Sequence, residues 1–108
     1  MNYAGLIRII NKQLSEQRSI VARFGSSDNI VLKEYTNRSK EKIEALELEL
    51  KALRTCLILQ AHPTLNLSVL QDYRAIPYED YIEDWYGTNN ELKQDEFELL
   101  LEMIPDWW

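Results

Sequence analysis

Cysteine and histidine each occur once in the 108 residues, as Cys56 and His62. A single Cys closes no intramolecular disulfide, which excludes a disulfide-stapled secreted scaffold and points to a reducing compartment, the cytoplasm by default. One Cys and one His supply no Cys/His metal set, so no metal site and no cofactor are expected. The two lie six positions apart with no third orienting group in the pattern, so a nucleophilic dyad is not expected either. Glycine is as sparse: its three copies stand isolated at positions 5, 25 and 87, and no glycine-rich phosphate loop exists. With only three prolines besides, the chain is neither fibrous nor of low complexity. Unbroken aliphatic runs stop at three residues, as in Leu57-Ile58-Leu59. A membrane span needs roughly 20. Arg8 interrupts the apolar N-terminal run and no small-residue cleavage pattern follows, so no secretory signal is expected. Bases are also outnumbered, 12 Lys and Arg against 18 Asp and Glu, for a net charge of −6. That balance disfavours direct nucleic-acid binding and simple adhesion to an anionic membrane.

What is abundant is apolar periodicity. Hydrophobic residues make up 45% of the chain, enough for it to fold, and the length suits a single domain, 1–108. The spacing predicts a first helix over 3–24, with Tyr3, Leu6, Ile7, Ile10, Leu14, Val21 and Phe24 on one stripe and Arg8, Lys12 and Arg23 opposite. Gly25 suits the left-handed position that closes such a helix. Ser26-Ser27-Asp28-Asn29 then offers caps for a second helix over 30–61, stopped by His62-Pro63. Ile43, Leu46, Leu50, Leu53 and Leu57 form a seam along it at alternating three- and four-residue spacing. Continued backwards, the register lands on Leu32, Thr36 and Ser39, so the seam is weak between Asn37 and Lys42, a stretch that admits a kink or break. The short linker favours an antiparallel hairpin within 1–62.

The remainder, 63–108, is acidic and aromatic. Residues 64–76 fit neither period cleanly. Pro77 fits a first helical position and Gly87 a terminating one, which predicts a helix over 77–86 with Tyr78, Tyr81, Ile82 and Trp85 inward and Glu79, Asp80, Glu83 and Asp84 outward. Thr88-Asn89-Asn90 offers caps for a last helix over 91–104, mostly apolar around its circumference, with Asp95, Glu98 and Glu102 on a narrow outer ridge. The expected fold is therefore all-α: a long helical hairpin with two shorter C-terminal helices.

Charge divides the chain more sharply than composition does. Residues 1–70 hold 10 bases and 7 acids, whereas residues 71–108 hold 2 bases and 11 acids. Acids at i and i+4, such as Asp80 with Asp84 and Glu98 with Glu102, rise about 6 Å along a helix and repel by a few tenths of a kcal/mol. A cationic partner relieves that repulsion, and duplex DNA presents closely spaced anions in a comparable way. The functional expectation is a non-enzymatic module whose carboxylates at Glu79, Asp80, Glu83, Asp84, Asp95, Glu98 and Glu102 engage a basic, nucleic-acid-binding surface of a protein partner as a nucleic-acid mimic. Trp107 and Trp108 are candidate anchors at the chain end. The alternative is a homodimer or bundle subunit associating through the seam Ile43, Leu46, Leu50, Leu53 and Leu57. Glu44/Glu47 and Asp80/Glu83 imitate the paired carboxylates of a Mg²⁺ site, but the first pair flanks the seam as ordinary exposed positions, and no enzymatic role is expected.

Overall fold

Asparagine side chains cap the first three helices in the computed structural model, which describes residues 2–104. Among these there are five helices and no strand: α1 Tyr3–Phe24, α2 Ile30–Ala61, α3 Leu67–Gln71, α4 Tyr78–Trp85 and α5 Gln94–Met103. The protein is all-α, a helical hairpin followed by shorter C-terminal helices. Contacts divide it into two compact units, Met1–Arg54 and Thr55–Trp108, with the division falling inside α2.

In the first unit, the Asn2 side chain accepts from the Gly5 N–H at 2.9 Å and starts α1. The helix ends at Phe24 as the periodicity predicts, but Gly25 does not adopt the left-handed conformation expected of it. Its φ of −64° and ψ of −24° continue the right-handed turn, and its N–H donates to the Val21 carbonyl at 2.8 Å. A Cβ there would stand 2.5 Å from that carbonyl oxygen, so the residue is needed for close approach rather than for a reversed dihedral. Of the candidate caps that follow, Asn29 starts α2, its side-chain oxygen accepting from Val31 and Leu32 N–H groups at 2.9 and 3.3 Å.

Helix α2 then runs unbroken for 32 residues, through the stretch where the seam weakens. Thr36 and Ser39 are the reason no break is needed: they are 3% and 2% exposed, small hydroxyl side chains that occupy the inner face and let α1 approach. Helices α1 and α2 pack along one another antiparallel. Phe24 meets Tyr35 with ring centroids 6.4 Å apart, and further along Arg18 pairs with Glu47 at 3.0 Å. Both members of that pair are largely exposed, so it contributes about 1 kcal/mol at most. Ile10 and Leu14 are the buried apolar residues of α1.

The second unit collects the last turns of α2, from Thr55 on, with α3, α4 and α5. His62-Pro63 ends α2 as expected. The ambiguous stretch resolves into the five-residue α3, capped by Asn66 accepting from the Ser68 N–H at 3.0 Å, and a series of turns leading to Pro77. Pro77 is the capping residue of α4 rather than its first helical residue, with an extended ψ of 150°. Gly87 behaves as its position predicts, with φ +76°. Nothing lies within 4 Å of where its Cβ would be, so Gly87→Ala should cost the left-handed penalty alone, about 1–2 kcal/mol, read as a lower denaturant midpoint with unchanged helicity.

Helix α5 starts at Gln94, three residues later than the predicted Glu91. Thr88 and Asn90, expected to cap it, are used elsewhere: the Thr88 hydroxyl donates to the Trp85 carbonyl at 2.6 Å, and the Asn90 side chain accepts from the Asn66 N–H at 3.1 Å. Glu96 instead reaches back to accept from the Lys93 N–H at 3.0 Å. The core of this unit is Ile58, Leu70, Tyr81, Leu92, Phe97, Leu99, Leu100 and Ile104. Tyr81, fully buried, is at its centre, stacked on Phe97 at 4.6 Å and meeting Tyr73 edge-on at 5.3 Å. The inward stripe of α4 is thus core, with Tyr78 and Trp85 half-buried against it.

Candidate partner-binding face

The structural division and the charge division coincide, because residues 55–70 carry no formally charged side chain. Met1–Arg54 holds 10 bases and 7 acids for a net +3, and Thr55–Trp108 holds 2 bases and 11 acids for a net −9.

Within the acidic unit, burial of the apolar faces of α4 and α5 forces the carboxylates outward. Glu79, Asp80, Glu83 and Asp84 on α4 and Asp95, Glu98 and Glu102 on α5 are all exposed. Among the described residues, the side-chain carboxylates of Glu79, Asp80 and Glu83 take part in no ion pair or hydrogen bond. Glu98 accepts from the Gln94 amide at 3.3 Å, and Asp84 accepts from the Tyr73 hydroxyl at 2.6 Å. Trp107 and Trp108 lie outside the described residues.

Three of the seven expected carboxylates, Asp80, Glu83 and Asp84, line a single cleft of about 600 Å³. Glu79 and the three ridge residues of α5 do not. The cleft adds residues that the sequence reading missed. Asp72, from the turn after α3, supplies a fourth carboxylate. Tyr73 and Trp85 give it aromatic walls, and Val69 and Ile76 an aliphatic side. The two rings are held in place by a relay in which the Trp85 indole N–H donates to the Tyr73 hydroxyl at 3.0 Å and that hydroxyl donates to Asp84. The missing signal was weak because Asp72 and Tyr73 fall in the stretch with no clear period; the alternation of acids and aromatics around it was the only trace.

The phenols register the surrounding negative charge. The Tyr73 hydroxyl is held above its ordinary pKa chiefly because it donates to Asp84, with burial adding to this. Burial raises Tyr78, and the charges of Glu91, Glu96 and Asp95 push it the same way. Burial takes Tyr81 up to about 12.

A second cleft, about 610 Å³, lies among His62, Tyr78, Tyr86, Glu91, Lys93 and Glu96. Its carboxylates serve the backbone: Glu91 accepts from the Gly87 N–H and Glu96 from that of Lys93, each at 3.0 Å. The Tyr78 hydroxyl donates to the Leu92 carbonyl. Among the described residues no group of three or more His, Cys, Asp or Glu side chains is placed to hold a metal ion. Glu47, one of the imitators of a Mg²⁺ pair, is engaged by Arg18.

The seam on α2 is divided. Ile43, Leu46, Leu50 and Leu53 are half-buried, Leu46 beside Gln13 and Gln17 of α1, while Leu57 is exposed. No helix of the described residues is long and apolar enough to cross a membrane. Comparison of the chain with protein-family models, with curated proteins and with solved structures found no match.

Proposed function

We propose that the protein is a non-enzymatic, cytoplasmic protein-binding module whose acidic C-terminal unit occupies a basic, nucleic-acid-binding surface of a partner protein and blocks it sterically and electrostatically. The observation that carries this reading is the gathering of Asp80, Glu83 and Asp84 with Asp72 at one open cleft, on a unit of net charge −9. Like charges so placed cost the isolated molecule free energy, and a cationic surface recovers it. The test is capture of partners from the source cell by the intact chain and by a charge-reversed form, followed by competition between the intact chain and duplex DNA for the captured protein. Mutual exclusion with DNA supports the reading. A partner that binds both at once, or one captured equally by both forms, defeats it.

The second reading is self-association through the α2 seam, favoured by the exposure of Leu57 and the half-burial of its seam neighbours. Leu50→Glu separates the possibilities when mass in solution and helicity are measured together. If the seam serves only the hairpin, the wild type is a monomer and the variant loses structure. If the seam joins two chains, a wild-type dimer becomes a folded monomer.

A further inference from the structure

Resting on the reading above, we propose that the cleft between α4 and the segment 69–76 is a receptor for one arginine side chain of the partner. Carboxylates alone would attract any cation. This cleft combines them with apolar surface that is left open to water: Ile76 is 38% exposed and Trp85 is only half-buried. A simple ion gains nothing from such walls. A ligand with an aliphatic stem and a planar cationic head uses both, the stem covering Ile76, the guanidinium lying over the Trp85 ring and donating to carboxylates at the edge. Arginine fits better than lysine because its fork of donors matches carboxylate geometry and its weaker hydration eases stacking on an indole.

The geometry is prepared in advance. Trp85 is pinned through its indole N–H to Tyr73, and Tyr73 to Asp84, so the aromatic wall need not be ordered when the ligand enters. The carboxylates of Asp80 and Glu83 make no hydrogen bond among the described residues and are available to a guanidinium.

The experiment titrates the full chain with N-acetyl-arginine amide and follows the Trp85 indole N–H resonance, assigned with Trp85→Phe. The proposal expects a saturable shift with a Kd on the order of 1–10 mM, the range open to a ligand of this size. N-acetyl-citrulline amide, which has the same shape without the charge, should bind at least about tenfold more weakly, since a 1.4 kcal/mol difference already gives that ratio. Asp80→Asn with Glu83→Gln should weaken the arginine ligand about fivefold or more, while Glu98→Gln on α5 leaves it unchanged. These substitutions leave the Tyr73–Asp84–Trp85 relay intact, and the dispersion of the amide spectrum verifies that each variant is folded. A shift that does not saturate, equal binding of the citrulline amide, equal binding of the lysine amide, or indifference to the double substitution overturns the receptor. The two readings fail separately. Partner capture that depends on the acidic face without a saturable arginine site removes the receptor alone, whereas arginine binding with capture that ignores charge reversal removes the inhibitor reading.

Discussion

Reversal of Glu79, Asp80 and Glu83 to Lys is expected to abolish partner capture while the protein stays folded. The change moves the second unit from −9 to −3, since each replacement adds two positive charges. Juxtaposing like charges across an interface costs several kcal/mol, so a loss of about 100-fold or more in affinity is anticipated. These three positions are chosen because their side chains are exposed and hold no partner among the described residues. Asp84 is left unchanged because it anchors Tyr73. The reversal has a structural cost, as Glu79 and Asp80 stand in the first turn of α4, where negative charge favours the helix by about 0.3–1 kcal/mol each. A modest fall in melting temperature with undiminished helicity is therefore part of the expectation. Raising salt from about 50 to 500 mM should weaken capture by the unaltered protein, because screening shortens severalfold over that range. Capture that survives either treatment would refute the electrostatic account.

The largest effect on stability is expected at Tyr81. Its ring is fully buried between Phe97, Tyr73 and Tyr78, so Tyr81→Ala should cost about 3–5 kcal/mol, a large part of what a domain of this kind possesses. Tyr81→Phe should behave oppositely. The buried hydroxyl finds no hydrogen-bond partner among the described residues, and removing it spares its desolvation, so stability should hold or rise by about 1 kcal/mol. Chemical denaturation of the two variants measures both. The same hydroxyl predicts a pH dependence. With its pKa pushed up to about 12 in the folded chain against an ordinary value near 10, the folded state keeps the proton after the unfolded state has released it. Stability should fall as pH rises from about 10 towards 12, and Tyr81→Phe should flatten that fall, leaving the smaller contributions of Tyr73 and Tyr78 in the same direction. A variant that loses stability over this window as steeply as the wild type would show that Tyr81 does not set it.

The extent to which the sequence announced this structure varied with the range of the deciding interaction. The bounds of α1 and α2 were legible because Asn29, Gly25 and His62-Pro63 act on their own neighbours. The supposed weak point at Thr36 and Ser39 was misleading for the opposite reason: the pattern scores a hydroxyl as non-core, but a small side chain is what a closely packed partner helix requires. The late start of α5 was hidden because Asn90, a good cap by type, bonds to Asn66, 24 residues away. The outward carboxylates of α4 followed directly from helical phase. The cleft they share with Asp72 did not, since it depends on turns over 72–77 that carry no periodic signal.

The charge-blank stretch from 55 to 70 also governs how the polypeptide answers proteases. Trypsin has no basic residue to recognise between Arg54 and Arg74, and Arg54 is the last residue of the first unit. A single nick there, once α2 frays, would leave two 54-residue fragments of opposite sign, +3 and −9, the first suited to a cation exchanger and the second to an anion exchanger. The bond after Arg54 thus marks the covalent joint between the cation-rich and anion-rich halves.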